Sequence, residues 1–212
     1  MTQSARINNK HTKISTTTYN KSMLAIYCSI AITVTGCSTL PKHTIESIPE
    51  TTLQVDTTQT TLAQIIQPLQ EQHPELTGYL VLFEPLEALS ARLRLIDKAE
   101  KTLDLQYYIW DNDKVGALAL HALIRAADRG VRVRLLIDDN NAKSTEGIFL
   151  ALAQHPNIEV KLFNPYRFRK YRALDMILDL KRINRRMHNK SFIADHQVAL
   201  IGGRNMSNQY YN

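Results

Sequence analysis

The chain has 212 residues, a formal net charge of +6 and only two cysteines. Four basic residues lie in the first 36 positions, and the remainder has 22 basic against 20 acidic residues, a net charge of +2. Most of the excess positive charge therefore belongs to the leader. Cys28 is predicted to leave with that leader, so a disulfide framework is excluded for the mature chain.

Residues 1–36 have the organisation of a bacterial signal peptide. Basic residues come first, no acidic residue precedes position 46, and an apolar run covers 23–34. As a helix this run is too short to span a bilayer. The leader ends in Val34-Thr35-Gly36-Cys37, which resembles the lipobox of bacterial lipoproteins. An ordinary signal peptide and a short buried helix are the alternative interpretations.

The lipobox resemblance implies cleavage before Cys37 and lipidation of its thiol. Ser38, rather than an aspartate, follows this cysteine. In bacteria with the corresponding sorting rule, that residue implies the outer membrane, with the protein on its periplasmic side. We therefore expect a lipid-anchored protein of the cell envelope.

Residues 37–61 are predicted to be the lipidated cysteine followed by a flexible tether. Ten of the 24 residues in 38–61 are Ser or Thr, two prolines interrupt them, and no apolar periodicity persists. Such a tether would let a domain move over a membrane surface without being embedded in it. The folded domain is predicted to cover 62–212.

Helices and strands are predicted to alternate within 62–212. Pro85 suits the first turn of an amphipathic helix whose apolar face contains Leu86, Leu89, Leu93 and Ile96. Gly130 suits the C-cap of a later helix. The other predicted helices cover 62–69, 116–129, 148–154 and 174–183. The predicted strands cover 103–110, 131–137, 158–163, the segment that begins at His188, and 198–201.

This alternation predicts an α/β fold with a mixed central sheet covered on both faces. Ligands of open α/β sheets bind near the carboxyl ends of the strands. Four residues are therefore expected around a site, namely Tyr108, Trp110, Asp138 and Asp139. Strand-end packing and loop capping explain each of these four equally well.

The strongest pattern in the chain is His188-x-Lys190-x4-Asp195, followed after six residues by Gly202-Gly203-x-Asn205. On a strand, residues 188 and 190 would point to the same face. A neutral imidazole can attack phosphorus, while an ammonium group beside it neutralises the non-bridging oxygens. The pattern therefore predicts phosphodiester chemistry, with His188, Lys190 and Asp195 as the catalytic set.

Two further expectations concern the phosphate, and a third concerns the role of Asp195. The amide of Asn205 would donate to the same oxygens as Lys190. Gly203 would let the backbone approach the anion, because it has no Cβ. Asp195 is expected to hold neighbouring groups by hydrogen bonds rather than to react. An edge strand that carries His and Lys by coincidence is the alternative for the pair alone.

The complete pattern closely resembles the H-x-K-x4-D (HKD) signature of the phospholipase D superfamily. The resemblance implies an α/β/α sandwich and a covalent phosphohistidine, with no metal and no cofactor. That family commonly has Ser where this chain has Gly203, so one phosphate-binding hydroxyl is missing. Ser207 is a weaker candidate for that hydroxyl.

The family mechanism uses two histidines, whereas this chain contains one motif. His196, the only later histidine, has no lysine at the right spacing. The sequence 105–110 together with Gly202-Gly203-Arg204-Asn205 resembles the amino-terminal half of cardiolipin synthase C-like proteins, from about residue 80 onward. A second HKD half is therefore expected as a partner, from the same gene product, a split chain or a homodimer. The carboxylate that orients the nucleophilic imidazole cannot be assigned.

Residues 161–188 contain nine Lys or Arg residues against Asp175 and Asp179. Such a segment suits the headgroups of anionic phospholipids. Basic residues interspersed with aromatic ones also suit nucleic acid, and a solvated basic helix face is the third alternative. The lipobox and the tether favour lipid, so nucleic acid is the less favoured partner.

The leading hypothesis is a phosphatidyltransferase half-domain that acts on membrane phospholipids and gives cardiolipin-like products. The alternative within enzymes is a dimeric phosphodiesterase or nuclease. The alternative outside enzymes is a catalytically inactive, membrane-anchored lipoprotein that only binds lipid.

Overall fold

The computed structural model describes residues 55–212. The predicted signal peptide, the lipidation of Cys37 and most of the predicted tether lie outside the described residues. Thr57 and Thr60, which the sequence assigns to the tether, are buried. The Gln197 side-chain amide donates to the Thr57 hydroxyl at 3.0 Å, and the Thr60 hydroxyl accepts from the backbone N–H of Ala63 at 3.2 Å. Packing thus begins a few residues before Leu62.

Six helices and five strands occur in the described part of the chain. The helices are α1 (Thr61–Gln72), α2 (Pro85–Lys98), α3 (Lys114–Asp128), α4 (Glu146–Leu152), α5 (Arg172–Leu178) and α6 (Leu180–Ile183). The strands are β1 (Thr102–Tyr107), β2 (Arg132–Asp138), β3 (Ile158–Phe163), β4 (Lys190–Ala194) and β5 (Val198–Ile201). Single 3-10 turns cover Ala142–Ser144 and Asn208–Tyr210.

The five strands form one mixed sheet in the order β3-β2-β1-β4-β5. β1, β2 and β3 are parallel, whereas β4 is antiparallel to β1 and β5 is antiparallel to β4. The predicted α/β class with a mixed sheet is confirmed. Because β4 is reversed, it begins at the edge of the sheet where β1 and β2 end.

One face of the sheet forms the hydrophobic core. Leu103 pairs with Val133 and Ala194, and Leu105 pairs with Leu135, so apolar side chains from three strands lie side by side. All five are at most 2% exposed, and α3 and α4 pack on the sheet. The alternate residues of β1 and β2 are more accessible to solvent, including an ion pair between Arg134 and Asp104.

Three local predictions differ from the structure. The helix expected over 174–183 is divided at Asp179, because this residue leaves helical geometry and its carboxylate accepts from the backbone N–H of Arg182. The first strand ends at Tyr107, and Trp110 instead forms a separate bridge with Met206. Pro85 does begin α2, but Leu86 is 68% exposed rather than part of the buried face.

Two glycines are required by the backbone around α3. Gly130 follows the helix with φ of +91°, as expected for its C-cap. Gly116 lies against the turn that precedes the helix, where a Cβ would be 2.0 Å from the carbonyl oxygen of Asp111. The indole N–H of Trp110 donates to the carbonyl oxygen of Gly116 at 3.2 Å. This contact fixes the start of α3 against the end of β1.

Within residues 55–212, no helix has the length and apolar character needed to cross a membrane.

Candidate active site

The predicted site residues meet where β1 and β2 end and β4 begins. Lys190 is the first residue of β4 and pairs with Tyr107, the last residue of β1. His188 is exposed and lies two residues before the strand, not on it. The strand therefore positions Lys190 directly and His188 through the short segment before it.

His188 and Lys190 lie together against one aromatic ring. The Lys190 ammonium group donates to the carbonyl oxygen of His188 at 3.0 Å and lies 5.3 Å from the centroid of the Tyr108 ring. The rings of Tyr108 and His188 have centroids 4.7 Å apart. Lys190 is only 6% exposed, and burial lowers the pKa of its ammonium group below the usual range. A buried cation therefore lies beside an accessible imidazole.

The His188 imidazole has no hydrogen bond to any side chain in the described part of the chain. The backbone around it is held more tightly. The side-chain amide of Asn189 donates to the Gln106 side chain at 2.9 Å, and the backbone N–H of Met187 donates to the Asp138 carboxylate at 2.8 Å. Contacts on both sides of His188 thus fix the chain while its ring faces solvent.

Asn205 is 1% exposed and holds the segment Gly202–Asn205 against the residues that follow β1. Its side-chain oxygen accepts from the backbone N–H of Ile109 at 3.0 Å, and its amide donates to the Tyr210 hydroxyl at 2.8 Å. Gly203 is exposed, and a Cβ at this position would have no atom within 4 Å. A side chain as small as serine therefore fits at position 203.

Asp195 is placed at the far end of β4 from His188. It is 0% exposed, and its carboxylate accepts from the backbone N–H groups of Glu100, Lys101 and Thr102 at 2.9, 2.7 and 2.8 Å. With about 3.3 Å per strand residue, it lies roughly 16 Å from Lys190. The structure does not bring Asp195 together with His188. Its carboxylate instead fastens β4 to the start of β1.

The other predicted candidates are used inside the fold. Ser207 is 3% exposed and hydrogen-bonds Asp113, so its hydroxyl already has a partner. His196 lies beside Asp104 at 3.6 Å, at the same end of β4 as Asp195. Trp110 is 1% exposed in the core, with edge-to-face contacts to neighbouring aromatic rings. Of the four residues expected at strand ends, Tyr108 is the one that contacts His188.

Asp138 and Asp139 hold the segment that leads to His188. Besides Met187, Asp138 accepts from Arg186 at 3.2 Å. Asp139 accepts from the backbone N–H of Tyr166 at 2.8 Å and forms ion pairs with Arg169 and Arg172. Both carboxylates are 0% exposed. Their contacts therefore match loop capping, one of the two alternatives to a site role given above for these residues.

A chain of hydrogen bonds that the sequence does not predict leads to Tyr108. The hydroxyl of Tyr166 donates to the Asn140 side-chain oxygen at 3.0 Å, and the Asn140 amide donates to the Tyr108 hydroxyl at 3.0 Å. The guanidinium groups of Arg172 and Arg186 lie 4.6 and 4.8 Å from the Tyr166 ring centroid. These residues are distant in sequence and share no short motif, so only the fold reveals that they meet.

No group of three or more His, Cys, Asp or Glu side chains in the described region is arranged to hold a metal ion. A reaction without metal or cofactor therefore stays a prediction from the motif.

Comparisons with known proteins identify the family to which the chain belongs. The family model described as "Cardiolipin synthase, PLD-like domain" matches residues 93–212. Cardiolipin synthase C of Escherichia coli K12 is 53% identical over 150 residues, which cover 71% of this chain and 32% of that protein. Cardiolipin synthase of Oceanobacillus iheyensis is 33% identical over 120 residues, which cover 57% of this chain and 23% of that protein.

The chain thus spans less than a third of the length of these two relatives. Among solved structures, NucT from Helicobacter pylori is similar with 20% identity and a TM-score of 0.44, covering 63% of this chain and 76% of that one. The family match over 93–212 includes the whole HKD motif and the Gly202–Asn205 segment. The chain belongs to the cardiolipin synthase, phospholipase D-like domain family.

Proposed function

We propose that the chain is one half of a phosphatidyltransferase that acts on membrane phospholipids through a phosphohistidine at His188. The carrying observation is the accessible imidazole of His188 beside the buried ammonium group of Lys190. Membership in the family supports phosphodiesterase or phosphatidyltransferase chemistry in general. Cardiolipin-like products are the finer part of the proposal, suggested by the relatives' names.

In the first half-reaction, a neutral imidazole nitrogen of His188 attacks phosphorus. An N–P bond forms, the P–O bond to the leaving alcohol breaks, and the leaving oxygen receives a proton from a second histidine. In the second half-reaction, an acceptor alcohol gives its proton to that histidine and displaces His188 from phosphorus. Because the second histidine accepts the proton that it gave, the cycle balances without a further reagent.

The chain's own residues have separate roles in this scheme. Lys190 stabilises the negative charge on the non-bridging oxygens, and burial makes this interaction stronger than it would be in water. Gly203 would let the phosphate approach the backbone, whereas Asn205, which is buried and bonded to Ile109 and Tyr210, would hold the segment that carries Gly203. Asp195 is a positioning residue that secures β4. The second histidine comes from a second HKD half, which is supplied by the same gene product, a split chain or a homodimer.

The lipid substrate is supported by the predicted anchor as well as by the family. Lipidation of Cys37 would hold the domain at the periplasmic side of a bacterial membrane, which we propose to be the outer membrane. Anionic phospholipids would then be the local phosphodiesters.

Lipid analysis of cells tests the product. The gene is expressed with its complete reading frame in a bacterial host that lacks cardiolipin synthases, and total lipids are separated by mass spectrometry. We expect cardiolipin to appear with the wild-type gene and to be absent with His188→Ala at equal protein levels. If no cardiolipin appears with the wild-type gene either, the proposed product is contradicted.

Trapping of the intermediate tests the chemistry separately from the product. Purified protein is incubated with a radiolabelled phosphodiester and quenched in base, because a phosphoramidate is stable in base and labile in acid. We expect an adduct that is lost in His188→Ala. The absence of an adduct at every protein concentration would instead favour a lipoprotein that binds lipid without turnover. Cleavage of DNA by the same preparation would favour the nuclease.

A further inference from the structure

The two short helices before the motif expose four apolar side chains within five consecutive residues. Met176, Ile177 and Leu178 at the end of α5 are 51, 78 and 68% exposed. Leu180 at the start of α6 is 57% exposed. Together these four residues form what we name the α5–α6 patch. Apolar residues scattered singly on a surface are ordinary, but four within five consecutive positions require an explanation.

Of the two acidic residues of this region, Asp175 is buried and Asp179 is partly exposed, and both are paired with arginine. Asp175 is 1% exposed and accepts from the backbone N–H of Phe168 at 3.0 Å and from Arg182 at 3.1 Å. Asp179 separates the two helices and pairs with Arg182 at 3.1 Å. From 164 to 189, a stretch that the structure describes throughout, no other acidic residue occurs. The negative charge on this surface is therefore limited to Asp179, whose side chain is 32% exposed and is paired with Arg182 and Arg167.

Seven of the eight cations of the same region divide into two sets, and the eighth, Arg182, pairs with Asp175 and Asp179. Arg169, Arg172 and Arg186 turn inward to Asp138 and Asp139. Four others remain exposed around the α5–α6 patch in sequence, namely Arg167, Lys170, Lys181 and Arg185. These four exposed cations flank the α5–α6 patch in the sequence, and we name them its basic margin.

The patch is fixed relative to the reactive histidine. The Asn164 side-chain amide donates to the carbonyl oxygens of Arg182 and Arg185, each at 2.7 Å. Ile183, at the end of α6, is 4% exposed, and Asp138 binds the next residues before His188. A short, anchored segment therefore connects the patch to the site.

We propose that the α5–α6 patch docks on the surface of an anionic phospholipid bilayer. Its apolar side chains would lie at the boundary between the headgroups and the acyl chains, and its basic margin would lie on the lipid phosphates. The charge distribution selects this occupant, because exposed apolar side chains with basic flanks match an anionic lipid surface, and the one partly exposed carboxylate between them, Asp179, is paired with arginines. The docking gains its purpose from the proposed lipid substrate, since it would bring lipid phosphates near His188. Binding itself requires no catalysis.

Tryptophan placed in the patch tests the docking directly. The full chain is prepared as Ile177→Trp and, as the matched control, as Ile201→Trp, which is 80% exposed on the edge strand β5. Trp110 is buried in both and gives a common background. Vesicles of phosphatidylglycerol and phosphatidylcholine are added, with brominated lipids as quenchers. Any lipid anchor is shared by both variants and cancels in the comparison.

We expect the emission of the Ile177→Trp variant to shift to the blue and to be quenched by brominated lipid, while the Ile201→Trp variant keeps its solvent-exposed spectrum. Reversal of two basic residues in the probe chain, Lys181→Glu with Arg185→Glu, should raise the required vesicle concentration at least about tenfold. Pure phosphatidylcholine should give a much weaker response than the anionic mixture.

Two outcomes overturn the docking surface. One is an Ile177→Trp spectrum that vesicles leave unchanged or change no more than the control. The other is a blue shift without vesicles that grows with protein concentration, which would show that a second copy of the chain covers the patch. The adduct assay with a short-chain, water-soluble phosphodiester separates this inference from the proposed function. Ile177→Asp should leave adduct formation unchanged. If the wild-type chain binds vesicles but forms no adduct, only the proposed chemistry is contradicted.

Discussion

At its first residue, β4 presents Lys190 beside an exposed His188, whereas beyond its last residue Asp195 is completely buried. The exposed His188 lies with its ring against that of Tyr108. The Asp195 carboxylate, in contrast, has three backbone N–H partners. One sequence motif thus contains an exposed end, where the proposed nucleophile lies, and a buried end that holds the backbone of β1.

The difference follows from the direction of β4. Because the strand is antiparallel to β1, its start lies at the carboxyl edge of the parallel strands, where ligands bind, and its end lies at the opposite edge. Substitutions at the first end should change reactivity with little effect on folding. Substitutions at the second should change folding first. Each prediction below tests this separation.

The largest effect is expected for His188→Ala. Removal of the nucleophile should reduce formation of the base-stable adduct by at least about 10⁴-fold, because no other group lies in position to form it. The side chain is exposed, so the melting temperature should stay within about 2 °C of the wild type. Single-turnover labelling and calorimetry measure the two quantities. An adduct that persists in this variant would show that another residue is the nucleophile.

Asp195→Ala should show the converse behaviour. Three backbone N–H groups lose their acceptor, so we expect a loss of about 3 kcal/mol or more in the free energy of unfolding, or roughly 10 °C in melting temperature. Asp195→Asn is the matched control, since asparagine tolerates the φ of +48° at this position and keeps one oxygen acceptor. Chemical denaturation should rank the wild type above Asn and Asn above Ala. Equal stability of all three would refute the structural role.

Lys190→Met should separate activity from stability at a single residue. Adduct formation should fall about 10²- to 10³-fold with loss of the cation at the phosphate. Stability should rise, because burial lowers the pKa of Lys190 and its charged form therefore destabilises the fold. Wild-type stability should increase as pH rises toward 10.5, where this lysine loses its proton in the folded state first. The stability gain of Lys190→Met should shrink over the same range, as followed by thermal melts at several pH values.

The smallest effect is expected for Gly203→Ser. A Cβ at this position meets no atom within 4 Å, so the fold should accept the substitution. A hydroxyl that reaches the phosphate would increase adduct formation by roughly 2- to 10-fold. Gly203→Ala supplies the Cβ without the hydroxyl and should give no increase. If both variants behave alike, position 203 does not touch the phosphate.

The sequence predicts the main helices and strands because their signals are local. Gly130 after a periodic helix, Pro85 before one, and apolar alternation in β2 each depend on neighbouring residues only. The division at Asp179 was missed because its side chain competes with the helix by binding the N–H of Arg182. Leu86 was misplaced because periodicity identifies an apolar face without showing what covers it.

The site was predictable as a motif but not as a set of contacts. His188 and Lys190 are only two positions apart in the sequence, so their proximity could be anticipated. The contact of Tyr108 with His188, and the support that Asn140 gives to Tyr108, depend on three separate segments meeting in space. The different roles of the arginines between 161 and 188 were hidden for the same reason, since composition cannot distinguish a cation paired with buried Asp139 from one that faces solvent.

The reversal of β4 also affects how such a domain can diversify. The segment 164–189 has to carry the chain from β3 past β2 and β1 to β4, a distance of about 14 Å at the usual spacing between strands. Far fewer residues would cover that distance, so most of the segment is not needed for connection. Changes in its length or composition would alter the rim beside His188 without altering any strand pairing. The crossover is therefore a place where the surface beside His188 can vary while the order of the strands stays the same.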